Sequence, residues 1–176
     1  MERSTRWLIS SIFLGFAATV GGASAQTPSV TVETEYLGTL ELSLDAPQAV
    51  GPRLIINLPD GKIQGPKING AIVAPSADWL NPMPDGSLHL DVRATIKTDD
   101  GEFIFVEYNG VIAGTEEVMD RFNKGDVLTS KDEYFISTPR FTTASKKYDW
   151  LNKVQAVAKM VTVQQKHLKY DLFILR

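Results

Sequence analysis

The sequence contains no cysteine and only two histidines, His89 and His167. Without cysteine the chain has no disulfide, zinc ribbon, iron–sulfur cluster or thiol nucleophile. Two histidines leave little room for a histidine-rich metal site, and a formal net charge of −3 argues against a nucleic-acid partner. No Gly-x-Ser-x-Gly motif, phosphate loop, Rossmann glycine motif or calcium loop is present. The sequence therefore predicts no metal and no other cofactor.

The first residues have the pattern of a secretory signal peptide. Arg3 and Arg6 precede an apolar stretch that ends in small residues at Ala25. This stretch is shorter than the roughly 20 residues of a membrane-spanning helix, and its small-residue ending favours cleavage over an uncleaved anchor. We predict that residues 1–25 are a cleaved signal peptide and that residues 26–176 are one periplasmic or secreted domain without a membrane span.

The remaining chain has the pattern of nine or ten short strands and one helix. The clearest strand is Ser87–Thr98, in which apolar and polar residues alternate strictly, and turn signals recur at short intervals along the chain. The helix is predicted over Thr115–Lys124, with Thr115 as its N-cap and Gly125 after its end. Many short strands with one helix indicate an all-β fold, an antiparallel barrel or sandwich.

Two turns carry specific hairpin predictions. A three-residue turn at Asp99-Asp100-Gly101 places Arg93 opposite Glu107, whereas a two-residue turn places Arg93 opposite Tyr108. The first register keeps the apolar residues of both strands on one face, so we favour it. The Asp-Gly pair in Pro59-Asp60-Gly61 predicts a second hairpin between the strands on either side of it.

The chemistry of the chain has to come from carboxylate, guanidinium and aromatic groups. His89 and Asp91 lie two residues apart on one strand face, so the carboxylate is not directed at the imidazole and a hydrolase triad is disfavoured. Asp91 and Arg93 share that polar face. The face either lines a pocket or is the solvated outside of a strand whose apolar residues pack the core, and the pattern alone favours the outside.

The spaced motifs of the chain resemble those of the bacterial and fungal family called domain of unknown function 3237. The last motif, Tyr148-x-Trp150-Leu151-Asn152, is the most specific, and Pro75-Ser76 departs from the family pattern, in which we expect a glycine pair. The other matching residues are Gly51-x-Arg53, Gly65-Pro66-Lys67 with Gly70, Ala77-Asp78-Trp79, Leu90-Asp91-Val92-Arg93, Thr98-x-Asp100-Gly101, Tyr108-x-Gly110, Tyr134-Phe135 and Pro139-x-Phe141-x-Thr143.

The resemblance implies a single closed antiparallel β-barrel with one short helix, similar to the allene-oxide-cyclase and lipocalin-like barrels. It does not imply one activity for the family. It favours a pocket over a solvated surface for four residues in particular, Asp78, Arg93, Tyr108 and Trp150. The expected ligand is a small hydrophobic or aromatic molecule held in the barrel interior, and a homo-oligomer is left open.

Two functions fit these residues. In a cofactor-free lyase, isomerase or cyclase, Asp78 is the general acid or base and Arg93 holds a carboxylate, phenolate or oxyanion. Tyr108 or Tyr134 donates a proton or orients the substrate. The alternative is a carrier that binds the same molecule without converting it. Both hypotheses share one set of ligand-binding residues, namely Arg53, Trp79, Asp91, Tyr134, Phe141, Trp150 and Asn152.

Overall fold

The computed structural model describes residues 30–176, so the predicted signal peptide and its cleavage site lie outside the described residues. Strand and helix bounds follow the chain in order. They are β1 Thr34–Ser43, β2 Gln48–Val50, β3 Arg53–Asn57, β4 Gly61–Gln64, β5 Asn69–Pro82, β6 Leu88–Thr98, β7 Phe103–Ala113, α1 Glu116–Asn123, β8 Leu128–Thr129, β9 Tyr134–Ser137, β10 Arg140–Thr142, a 3₁₀ turn Asp149–Lys153, β11 Ala156–Gln164 and β12 His167–Leu175.

Eight of these strands form a closed ring. Going round it, β1 pairs with β4, then come β5, β6, β7, β9, β11 and β12, which pairs again with β1; every pairing is antiparallel. Four short strands lie outside the ring and pair with it or with each other: β3 pairs with β5, β2 with β3, β8 with β11 and β10 with β7. The protein is thus a mostly-β, closed eight-strand antiparallel barrel with one short helix, which confirms the predicted fold class. Among the described residues no helix is long and apolar enough to cross a membrane.

The β6–β7 hairpin has the predicted register. Arg93 lies opposite Glu107 and Val92 opposite Tyr108, and Gly101 has a φ of 89° in the turn. Because side chains alternate along a strand, this register places the apolar residues of both strands on the inner face of the barrel. It also makes Tyr108 a neighbour of the inward residues of β6.

The second hairpin prediction is wrong. β3 and β4 flank the Asp-Gly pair but do not pair with each other; β3 pairs with β2 and β5, and β4 with β1 and β5. Gly61 is not among the residues with positive φ. A Cβ on Gly61 would lie 2.5 Å from the Glu41 carbonyl oxygen, so this glycine serves the close approach of β4 to β1.

The strand β5 is long and irregular. It runs from Asn69 to Pro82 and includes a shift of register between Val73 and Ala77. The shift accommodates Pro75, which has no backbone N–H to donate to a strand ladder. Beyond the shift β5 leaves β4 and pairs with β3, so that β3, β5 and β6 lie side by side.

One end of the barrel is covered by residues 114–133, which we call the cap. They connect β7 to β9 and contain α1 and β8. The helix has the predicted N-cap, since Thr115 Oγ1 accepts the Val118 N–H at 3.3 Å. Val118 and Leu128 belong to the buried core, and Phe122 packs against it. The cap therefore adds apolar side chains to the core at this end.

Candidate active site

Asp78 is a carboxyl group inside the barrel. It lies on β5 between Ile56 of β3 and Val92 of β6, and it is 7% exposed. β6 begins at Leu88, four residues before Val92, and a strand rises about 3.3 Å per residue. The Asp78 backbone thus lies roughly 13 Å along the strands from the end that the cap covers.

The Asp78 carboxylate accepts a backbone hydrogen bond from β6 at a position where β5 and β6 have no ladder pair. Trp79 and Leu80 have no Cα partners on β6 in the strand register. At this gap Asp78 Oδ1 accepts the backbone N–H of Asp91 at 3.0 Å. Burial raises the pKa of Asp78 to about 6, the Asp91 N–H lowers it, and the Asp91 charge raises it further. Asp78 can therefore gain or lose a proton near neutral pH.

Two buried tyrosines accompany this carboxyl. Tyr108 of β7 and Tyr170 of β12 are 6% and 1% exposed, and their rings meet edge to face with centroids 6.4 Å apart. Burial raises the pKa of Tyr108 far above its usual range, and the Asp78 charge raises it further. The pKa of Tyr170 is raised by burial and by both Tyr108 and Asp78. Both phenols therefore stay protonated and can donate hydrogen bonds.

Three further polar groups on the inner face were not predicted as site residues. Tyr170 shares the inward face of β12 with Leu168 and Leu172, so strand alternation was sufficient to find it. Ser137 is 1% exposed, and its Oγ has no hydrogen-bond partner among the described residues. Glu133 precedes β9 in the same alternation; it is half-buried, and burial raises its pKa. No sequence motif singled out either of these two residues.

The barrel interior is packed. A cavity among its core side chains has a volume of about 10 Å³, which is room for about one water molecule. Phe141 lines this cavity and is 5% exposed. Ligand pockets for small organic molecules have volumes of roughly 300–1,000 Å³. This cavity is therefore too small for such a molecule, and Asp78 does not line it.

Four predicted site residues, Arg53, Trp79, Asp91 and Arg93, lie on the outer face of strands β3, β5 and β6. Arg93 is exposed, and its Nη1 lies 2.9 Å from Asp91 Oδ1. Its guanidinium carbon lies 5.4 Å from the centroid of the half-buried Trp79 ring. Arg53 Nη1 donates to the Trp79 carbonyl oxygen at 3.2 Å. The expected inward position of Asp91 and Arg93 is thus corrected, because the apolar residues of β6 take the inner face.

The remaining predicted residues lie apart from Asp78. Tyr134 is 58% exposed at the start of β9. Trp150 lies in the 3₁₀ turn, with Lys67 Nζ 5.6 Å from its ring centroid. Asn152 uses both ends of its amide on Thr143: its Oδ1 accepts the Thr143 N–H at 2.8 Å, and its Nδ2 donates to the Thr143 carbonyl at 3.0 Å. Of the predicted set, Asp78, Tyr108 and Phe141 lie inside the barrel, and Tyr108 and Phe141 line the same cavity.

Over residues 30–176 no group of three His, Cys, Asp or Glu side chains is placed to hold a metal ion. The chemistry that the interior groups support is proton transfer. A carboxyl with a pKa of about 6 accepts or donates a proton, and protonated phenols stabilise a developing oxyanion.

Comparison with known proteins identifies the family. The family profile described as "Protein of unknown function (DUF3237)" matches residues 32–175. The chain belongs to this family. A UPF0311 protein from Rhodopseudomonas palustris is 31% identical over 126 residues, which cover 69% of this chain and 82% of that protein. The resemblance seen in the sequence motifs is thus confirmed.

Solved structures of similar proteins have the same barrel. A conserved protein of unknown function from Rhodopseudomonas palustris matches with a TM-score of 0.78 and 26% identity, covering 85% of this chain and all of that one. An enzyme from Penicillium herquei matches with a TM-score of 0.61 and 19% identity over 86% of this chain and 99% of that one. At that identity the second likeness concerns the fold alone.

Proposed function

We propose that this DUF3237 protein catalyses proton transfer on a small hydrophobic or aromatic molecule, as a lyase or isomerase that uses its own side chains. The observation that carries the proposal is the buried Asp78 carboxyl beside Tyr108. An ionisable group with a strongly perturbed pKa inside an apolar core is a candidate for catalysis. Its burial costs folding free energy, which favours a functional reason for keeping it.

The roles follow from protonation. With a pKa of about 6, Asp78 is largely ionised at pH 7 and accepts a proton from a carbon or hydroxyl of the substrate. Tyr108 and Tyr170 remain protonated and donate hydrogen bonds to the oxyanion that forms. Ser137 Oγ, which is buried and unpaired among the described residues, adds a further donor from β9. The apolar residues around these groups suit a hydrophobic substrate.

In this proposal the cap opens to admit the substrate and then closes over it. The cavity lined by Tyr108 and Phe141 has a volume of about 10 Å³, so a substrate that enters the barrel displaces side chains. The cap covers the end nearest Asp78 and contributes Val118, Phe122 and Leu128 to the apolar packing. Opening of this segment exposes the inner face without breaking the ring of strands. Closure then excludes water from the proton-transfer step.

Deuterium exchange tests the proposal. The purified protein is incubated in D2O with a panel of hydroxylated and carboxylated aromatic compounds, and deuterium incorporation at carbon is followed by mass spectrometry. Wild type is expected to catalyse exchange into at least one compound. Asp78→Asn keeps an acceptor for the Asp91 N–H and is expected to lower the rate about 100-fold or more.

The matched control is Asp99→Asn, which changes an exposed carboxyl in the turn between β6 and β7 at the other end of the barrel. It is expected to exchange at the wild-type rate. An equal rate in Asp78→Asn and wild type contradicts the proposed role of Asp78. Binding of a panel compound without exchange, measured by calorimetry, assigns the protein to the carrier function instead.

A further inference from the structure

The outer-face residues Trp79, Asp91 and Arg93 form a connected group directly behind Asp78. We propose that this group, the outer clamp, positions the Asp78 carboxyl through the barrel wall. The clamp residues touch no interior cavity, so they are positioning residues and not catalytic ones. The inference deepens the proposed function, since it assigns regulation of the same carboxyl to residues outside the barrel.

A backbone hydrogen bond links the outer clamp to the Asp78 carboxyl inside the barrel. The Asp91 N–H donates to Asp78 Oδ1 at 3.0 Å, and it does so where the β5–β6 register has a gap. The same residue thus presents its backbone to the interior carboxyl and its side chain to the outer face. The ladder pairs Asp78–Val92 and Asp91–Asn109 place this backbone, and the position of the Asp91 N–H then fixes the donor that holds Asp78.

The second step is the arrangement that fixes Asp91. Its carboxylate lies 2.9 Å from Arg93 Nη1, and the Arg93 guanidinium lies 5.4 Å from the centroid of the Trp79 ring. Trp79 is held in turn by Arg53, which donates to its carbonyl oxygen at 3.2 Å. A planar guanidinium both pairs with a carboxylate and stacks on an aromatic face, which a lysine ammonium does less well. The gap in the ladder is therefore bridged by side chains on the outer face.

The third step is charge. The titratable groups that act with Asp78 are Asp91 on β6, Tyr108 on β7 and Tyr170 on β12. The phenols are neutral, so the carboxylate of Asp91 is the charge that opposes ionisation of Asp78. Arg93 compensates that charge from the outer face. Removal of Arg93 leaves Asp91 uncompensated, whereas neutralisation of Asp91 leaves the Arg93 cation free. The two changes therefore act on Asp78 in opposite directions.

The test is a carbon-13 NMR titration of the full chain with labelled aspartate carboxyl groups. The Asp78 signal is assigned by its loss in Asp78→Asn, and no substrate is needed. Arg93→Gln is expected to raise the titration midpoint of Asp78, and Asp91→Asn to lower it, each by about half a pH unit or more. Arg93→Lys, which keeps the charge and loses the stacking geometry, is expected to lie between wild type and Arg93→Gln.

The control is Lys97→Gln, which removes a cation from the same outer face of β6 without contact to the clamp. It is expected to leave the midpoint of Asp78 unchanged. Equal midpoints in wild type, Arg93→Gln and Asp91→Asn overturn the proposal, as does a shift of both variants in the same direction.

This outcome is independent of the deuterium-exchange test. Opposite shifts without any exchange activity keep the clamp and remove the catalytic role of Asp78. Exchange activity that depends on Asp78, together with unchanged midpoints in the clamp variants, keeps the proposed function and removes the clamp.

Discussion

Asp78 links the folding stability of the barrel to pH. Its pKa is about 6 in the folded chain because of burial, compared with about 4 for an exposed aspartate. A raised pKa means that the folded state binds the proton more tightly than the unfolded state. The stabilising effect of that proton is fully present below pH 4 and is lost as the pH rises through 6.

We therefore expect Asp78→Asn to gain stability relative to wild type as the pH rises. The free energy of unfolding of the variant minus that of wild type should increase by about 3 kcal/mol between pH 4 and pH 8. Urea denaturation at five pH values measures this difference. A difference that stays constant over this range would show that the folded and unfolded chains bind the Asp78 proton equally.

Asn152 gives a second prediction at the scale of one residue. Its amide makes two hydrogen bonds to the backbone of Thr143, so it holds the loop after β10 against the 3₁₀ turn. Asn152→Ala is expected to lower the free energy of unfolding by about 1–2 kcal/mol. Asn152→Asp keeps the acceptor and should lose less. A variant with unchanged stability and lost ligand binding would favour the predicted ligand-binding role over this structural one.

Much of the site could be read from alternation along single strands. The β6–β7 register placed Tyr108 beside Val92, and the structure adds Asp78 on the other side of Val92. Alternation alone also favoured the outside for the polar face of β6, and the structure places Arg93 there. The family resemblance favoured a pocket position for Arg93, whereas the apolar residues of β6 take the interior and leave Arg93 outside. The interior volume depends on how all side chains pack together, which no local pattern contains.

At the scale of elements, β7 and β9 approach each other closely at Gly110. A Cβ on Gly110 would lie 2.8 Å from the Ile136 carbonyl oxygen and 2.8 Å from Leu90 Cδ1. Gly110→Ala is expected to lower the free energy of unfolding by about 1–3 kcal/mol because two strands must move apart. Chemical denaturation measures the loss.

The matched control for this variant is Gly114→Ala in the cap. A Cβ there would have its nearest neighbours at 3.3 and 3.4 Å, both side-chain atoms. We expect its effect to be clearly smaller than that of Gly110→Ala. Equal losses in the two variants would mean that the destabilisation comes from the loss of glycine alone and not from the strand contact.

The paired elements also show where sequence signals fail. The turn at Gly101 and the helix cap at Thr115 are local, since each depends on residues within a few positions, and both were predicted correctly. The Asp-Gly pair before β4 has the same local pattern as a hairpin turn. Here the ring forces β3 and β4 onto successive parts of β5, which is a non-local requirement. Contacts between residues far apart in the sequence therefore determine which of the twelve strands pair.

At the scale of the whole molecule, the packed interior predicts a large effect of core truncation. Phe141 is 5% exposed and lines the cavity among the core side chains. Phe141→Ala is expected to lower the free energy of unfolding by about 3–5 kcal/mol. The control Phe103→Ala removes a ring that is 56% exposed on the outer face and should change stability by about 0.5 kcal/mol or less. Urea denaturation compares the two; similar losses would contradict the packed interior.

The pairing of β1 with β12 joins the first and last strands of the ring. Next to this seam, the Glu33 N–H donates to the Arg176 carbonyl and the Arg176 N–H donates to the Glu33 carbonyl. During synthesis, the barrel therefore remains an open sheet with two unpaired edges until its final strand has left the ribosome. Open edges pair readily with other chains, so nascent and truncated forms of this protein should depend on chaperones in a way that the finished ring does not.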